Sequence, residues 1–368
     1  MILGVAFVWF TTHFGGGFAS GAQIYSYYVR YGIWSLFLPL FAMAYNGVFF
    51  AYCLYFARKH EVYDYRSYNN AFYGRFAPLF SNLFELLYLC VMCVAPAVAF
   101  ATGGATLSTL TGLPYLLCTF VIGAFIFVVS VFGTDLVRKV ASVLSICIIA
   151  GLLIVYVPNI IAGAGKIGDT VNAMKTADLP FGKALYAAFL YGTFQLANVA
   201  VFVQHAKSFE KPQDAGKSMA VGAVLNALLM IMVVFGIMTV YQNPEMSQQS
   251  VPTLFMVQQG VGSKFMTPLI SVLIILGAVS TAVNMVAAMV KRIHAGLAER
   301  SSRTETAGKI SSTQILAALA CCIADFLIAQ LGLLTLIQKA YSILAYLAIP
   351  VILMPYVVHM IATRFDTK

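Results

Sequence analysis

The chain has 368 residues, 61% of them hydrophobic and 10% charged, with a mean hydropathy of +0.88. That composition excludes a soluble globular domain and a disordered chain, and it identifies a polytopic membrane protein. A formal net charge of +9 would suit nucleic acid, but the basic residues stand in short clusters between apolar runs, so the expected partners are a lipid bilayer and a small-molecule solute, not nucleic acid.

Ten apolar runs are long enough to cross a hydrocarbon core of about 30 Å: 2–30, 34–57, 77–107, 113–132, 136–157, 182–206, 215–241, 265–293, 310–331 and 333–362. The expectation is an all-α bundle of ten transmembrane helices forming one domain over residues 1–368. No basic stretch precedes the first run, so it reads as a crossing and not as a secretory signal. All seven cysteines fall inside apolar runs; Cys90 and Cys93 have the C-x-x-C spacing but no second pair or histidine beside them, so neither a disulfide framework nor a zinc site is indicated.

The first run contains THFGGGFASGAQIYSYY, residues 12–28, with glycine at 15, 16, 17 and 21. Glycine costs a helix interior about 1 kcal/mol relative to alanine, and hydrocarbon supplies no water to a broken backbone. Such a break is tolerable where the freed groups line a cavity or bind something. Ser20-Gly21-Ala22-Gln23 reads as a capping box, predicting a half-helix that begins just after Ser20. Its N–H groups would suit a carboxylate, and carbonyls freed near Thr11 to Phe14 would suit a cation. Gly17-x-x-x-Gly21 also fits a helix-packing face, but packing needs two glycines and does not need three in a row.

Pro158 to Pro180, polar and glycine-containing, divides the chain into two halves, about 1–157 and 181–364, of five runs each. An odd number per half inverts one half relative to the other, the arithmetic of an inverted repeat in which the interrupted first helix of each half marks a solute site. The sixth run opens the second half and carries YGTFQLAN, Tyr191 to Asn198, so it too is predicted to be discontinuous. In the eighth run Gly277, Ser280 and Thr281 share one face and offer a carbonyl and two hydroxyls to a small hard cation. The same hydroxyls could instead bond back to their own helix.

Five lysines and arginines lie after runs 1, 3, 5, 7 and 9, against sixteen on the other side, so both termini are expected in the cytoplasm. Asp325 and Lys339 stand seven residues either side of Gly332, which predicts a structural ion pair at one depth. Glu85 lies toward the cytoplasmic end of its run. His13 and Tyr88 are placed to reach the solute, although each also reads as a packed side chain.

GGGFASGAQI resembles the GAGFASGQE signature of the YkvI-type bacterial membrane proteins, a branch of the amino acid–polyamine–organocation superfamily with the LeuT-type fold. The likeness covers about ten residues. It implies a bacterial inner-membrane transporter in which Thr11, Phe14, Gly277, Ser280 and Thr281 hold sodium. The solute would then lie against His13, Gly15, Gly16, Gly17, Phe18, Ser20, Tyr88 and the unwound stretch Tyr191, Gly192, Thr193 and Phe194 with Gln195. Where the signature has Gln-Glu, this chain has Ala22-Gln23 and so lacks that acid. The resulting expectation is a secondary transporter of a small amino acid or related amine, coupled to sodium, with no other cofactor. Proton coupling and a transporter-fold solute receptor are the alternatives. No catalytic cluster or cofactor motif suggests an enzyme.

Overall fold

The computed structural model describes residues 2–177, 179–301 and 311–366, with side chains except at 134–142, 145 and 294–301. Of the basic residues used for orientation, Arg303, Lys309 and Lys368 lie outside the described residues, as does the first residue of the ninth run. Among the described residues every regular element is a helix. The first run is divided into α1 (Ile2–His13), α2 (Gly16–Ala19) and α3 (Ala22–Tyr27). There follow α4 (Leu38–Lys59), the short α5 (Tyr65–Tyr73), α6 (Ala77–Thr111), α7 (Tyr115–Phe132), α8 (Thr134–Ala162) and α9 (Ala164–Thr176). The second half contains α10 (Phe181–Gln195), α11 (Val199–Phe202), α12 (Asp214–Met238), α13 (Pro252–Gln258), α14 (Ser263–Ser301) and α15 (Ser312–Ala329). It ends in α16 (Leu333–Thr335), α17 (Tyr341–Ala348) and α18 (Met354–Ala362), joined by π-helical turns at Leu336–Ala340 and Ile349–Leu353.

Local chemistry accounts for several boundaries. Proline stands in the first turn of α4, α6, α13 and α18, where its missing N–H would have had no helical acceptor. Asp64 caps α5 by accepting from the Ser67 N–H at 2.9 Å, and this bond holds its carboxyl below the usual range. Ser311 and Gln314 form a capping box at the start of α15.

Eight of these helical stretches are long and apolar enough to cross a membrane, or nine if α8 and α9, bent by 75° between Ala162 and Ala164, count as one crossing. The protein is therefore an all-α polytopic membrane protein. The first run does not count among them because α1, at 12 residues, is too short to span by itself. Outward-facing Phe120, Phe125 and Phe132 on α7 give it the apolar exterior that lipid requires. Inside, α6 packs along α14 and α4 along α12, while α1 lies against α12. Gly222 makes room for Trp9, whose ring meets Phe50 edge-on at 5.2 Å.

Two expectations are corrected. The sixth run is not interrupted at Tyr191 to Phe194: those residues are α-helical, and the chain continues through tighter turns at Leu196–Asn198 and Val203–Ser208 as one apolar stretch to Ser208. Nor do Asp325 and Lys339 pair. Asp325 is 4% exposed, whereas Lys339 is exposed, and no ion pair joins them. Equal distance from Gly332 implied equal phase only for regular helices, and the π-helical turn that contains Lys339 changes the phase.

Asp325 instead lies beside Cys93 of α6 and Cys321 and Cys322 of its own helix, without a cationic partner among the described residues. Asp325→Asn is therefore expected to raise the melting temperature, because an unpaired buried carboxyl opposes folding. Lys339→Met should add nothing beyond its own effect. Melting curves of both single variants and the double variant test this: a coupling above about 0.5 kcal/mol would restore the ion pair.

Candidate functional site

The glycine run breaks the first helix by one residue's conformation. Gly15 is extended, at φ −78° and ψ 178°, and its N–H turns to the His13 carbonyl at 3.0 Å instead of reaching back to Thr11. The Phe18 and Ala19 N–H groups both close on the Gly15 carbonyl, at 3.0 and 3.1 Å. Thr11 and Phe14 carbonyls thereby lose their helical donors, and the Gly16 and Gly17 N–H groups open the first turn of α2 without an intrahelical acceptor. The break stands at the glycine run, where the sequence placed it.

A half-helix does begin just after Ser20: α3 starts at Ala22, whose N–H donates to Ser20 Oγ at 3.3 Å, but the full capping box is absent, and a further short helix, α2, already starts at Gly16. Ser20 is buried and donates its hydroxyl to the Gly17 carbonyl at 2.9 Å, while Gln23 turns toward Tyr191. A second break follows at Gly21, where φ is +78°. Here α13 intervenes: the Thr253 N–H donates to the Ser20 carbonyl at 2.9 Å, and the Tyr156 hydroxyl meets the Thr253 hydroxyl at 2.6 Å. The short helix α13, buried from Pro252 to Val257, thus seals one side of the break.

On the other side of α2 is a cavity leaving about 90 Å³ for the centres of solvent-sized groups. His13, Gly15, Gly16, Gly17 and Gln23 line it from the broken helix, and Phe194, Gln195 and Asn198 from the sixth run. Val91, Ala95 and Val98 of α6, Thr281 of α14, and Tyr341 and Leu344 of α17 complete much of the wall. None of its lining residues is Asp, Glu, Lys or Arg. Asn198 Nδ2 donates to Gln195 Oε1 at 2.7 Å, and the Phe194 and Tyr341 rings stack at 4.5 Å. The site is thus a set of neutral donors and acceptors beside an aromatic pair.

His13 ties three segments together there. Its Nδ1 is 2.7 Å from Asn226 Oδ1 of α12 and its Nε2 is 2.6 Å from the Tyr191 hydroxyl of α10. Asn226 was not foreseen, although an asparagine in the middle of an apolar run is a signal that sequence reading can use.

Several expected solute contacts fall elsewhere: Tyr191 is not among the residues lining the cavity and turns its hydroxyl to His13. Gly192 and Thr193 face α4: the Gly192 carbonyl accepts from Asn46 Nδ2 at 2.7 Å, and Thr193 meets the Tyr45 hydroxyl at 3.2 Å. Phe18 packs on Phe14 at 4.3 Å and on His13. Tyr88 lies in a second, larger space of about 730 Å³.

That vestibule runs from the Tyr63–Tyr65 connection to the break, and Thr11, Phe14, Gly277, Ser280 and Thr281 all line it. The five expected cation ligands therefore all border this one space. Thr281 Oγ1 also donates to the Gly277 carbonyl at 3.0 Å, which leaves its lone pairs available. Thr12, Thr281 and Met285 line both spaces, so the two adjoin there. Near its mouth Arg292 pairs with Glu85, bonds the Tyr65 hydroxyl and lies 5.1 Å from both the Tyr65 and Tyr88 ring centres. Glu85 thus braces α6 against α14 and α5 instead of simply facing water.

No family model matches the chain, and no curated protein matches it.

Proposed function

We propose that the protein is a secondary transporter that carries a small zwitterionic solute by alternating access. The supporting observation is the break itself: the first turn of α2 lines a charge-free cavity, a wider vestibule adjoins that cavity, and the buried α13 packs on the break. Unpaired N–H groups at Gly16 and Gly17 suit a carboxylate, and side-chain amides suit an ammonium group. A cavity without a carboxylate disfavours a polyamine. Its small volume suits a small amino acid.

In this reading the ten runs form two inverted repeats of five, with the first helix broken, as the YkvI-type resemblance implies. The resemblance likewise suggests a bacterial inner membrane, and the lysine and arginine asymmetry suggests cytoplasmic termini. The vestibule beside Tyr63–Tyr65 then opens inward. Uptake of labelled glycine and alanine into proteoliposomes, with and without a sodium gradient, tests the proposal; binding without uptake would instead make the protein a receptor.

Sodium is the proposed coupling ion, held by the Thr11 and Phe14 carbonyls with Gly277, Ser280 and Thr281. Ion and solute would both bind at the break and favour its closure. Ser280→Ala combined with Thr281→Val is expected to weaken sodium-dependent stabilisation or uptake at least about tenfold, corresponding to roughly 1.4 kcal/mol of ion binding. Unchanged sodium dependence in this variant would move the ion elsewhere. Absence of any sodium effect in the wild type would favour protons.

A further inference from the structure

Asn226 fixes the tautomer of His13. Asn226 Nδ2 donates to the Gly222 carbonyl at 2.8 Å, so the Oδ1 atom 2.7 Å from His13 Nδ1 is an acceptor, and Nδ1 carries the hydrogen. His13 is 3% exposed, and the groups packed on it are Phe18, Asn226 and Tyr191, with Tyr27 and Tyr28 behind Tyr191. The cavity wall from α6, α14 and α17 adds no acid or base except the Tyr341 phenol. With no carboxylate to pair it, the imidazole is neutral, and Nε2 is left with a lone pair.

The direction of the next bond follows. Tyr191 must donate to Nε2 across 2.6 Å. Its oxygen also lies 3.4 Å from Gln23 Oε1, but a hydroxyl has one hydrogen, and the shorter bond takes it. Gln23 lines the cavity beside the Tyr341 phenol, and its side-chain carbonyl there receives no hydrogen from Tyr191. Were Nε2 to carry the hydrogen, it would donate to the Tyr191 oxygen, and the phenol hydrogen would turn to Gln23.

We propose that His13 is a positioning residue that sets the hydrogen-bonding polarity of the cavity: by holding the Tyr191 hydrogen on Nε2, it frees the Gln23 carbonyl to accept from a solute ammonium group. The part concerning the solute rests on the transport reading above; the part concerning the tautomer does not.

The experiment is nitrogen-15 NMR of the histidine-labelled full chain in lipid nanodiscs at pH 7, with His13 assigned by its loss in His13→Gln, alongside calorimetric binding of glycine and alanine. Wild-type His13 is expected to be neutral with its hydrogen on Nδ1. Asn226→Leu should move the hydrogen to Nε2 and weaken glycine or alanine binding at least tenfold. Tyr191→Phe should keep the Nδ1 hydrogen, shift the Nε2 signal toward that of an unbonded nitrogen and retain binding within about threefold, because Gln23 stays free. A purely packing role predicts that both substitutions weaken binding alike. The proposal is overturned by a wild-type hydrogen on Nε2, by a charged ring, by an unmoved tautomer in folded Asn226→Leu, or by Tyr191→Phe losing binding. If Asn226→Leu does not fold, the Tyr191→Phe spectrum and affinity decide. If neither amino acid binds the wild type, the solute reading fails, while the spectra still decide the role of His13.

Discussion

Gly21→Ala is expected to cost about 2–5 kcal/mol of stability, far more than the same change at Gly112. Both glycines have positive φ, +78° at Gly21 and +71° at Gly112. An L-residue in that region costs roughly 1–2 kcal/mol at either position. They differ in what a methyl group would meet. At Gly112 there is nothing within 4 Å; at Gly21 the added carbon would stand 2.7 Å from the Thr253 hydroxyl and 3.1 Å from the Thr253 backbone nitrogen. That nitrogen donates to the Ser20 carbonyl, so α13 cannot withdraw without breaking the bond that holds it on the broken helix. Overpacking of this kind typically adds about 1–3 kcal/mol. Thermal unfolding of both variants in the same detergent measures the difference. Equal losses would mean that α13 does not clasp the break and that only backbone strain matters there.

The same comparison shows which parts of the fold could be seen in the sequence. A run of three glycines in an apolar segment has few uses in hydrocarbon, so the break and the freed Thr11 and Phe14 carbonyls were legible from composition alone. The Gly277, Ser280, Thr281 face was legible from helical spacing, because α14 is regular there. Gly192 and Thr193 offered the same kind of signal with a different cause. Their helix packs closely on α4, where a carbon added at Gly192 would meet the Tyr45 ring at 2.5 Å, and Asn46 satisfies the Gly192 carbonyl. A glycine in a membrane helix marks close approach, and its sequence context does not say whether the approaching group is a ligand or another helix. Asp325 and Lys339 failed for a geometric reason, since the π-helical turn that contains Lys339 changes its phase without leaving a mark in the hydropathy. The partners of His13 were hidden by distance, because Tyr191 and Asn226 lie 178 and 213 residues away along the chain.

Gly17→Ala is expected to leave the protein folded in the membrane while weakening solute binding at least about tenfold, whereas Gly16→Ala should act first on stability. A carbon added at Gly16 would stand 2.8 Å from the Ala278 Cβ and 3.0 Å from its Cα, so α2 would have to move away from the backbone of α14. At Gly17 the nearest atom is Gln23 Nε2 at 2.7 Å, the far end of a flexible side chain that can rotate aside at little cost. That rotation displaces the amide proposed to meet the solute. Losing one hydrogen bond to a charged group costs about 1.5–3 kcal/mol, enough for at least a tenfold loss of affinity. Gly17→Leu would enlarge the loss by filling the cavity itself. Surface expression, melting temperature and glycine or alanine affinity of the variants separate the two effects. Wild-type affinity in a folded Gly17→Leu protein would remove the solute from the break, and a Gly16→Ala protein as stable as wild type would show that α2 does not bear on α14.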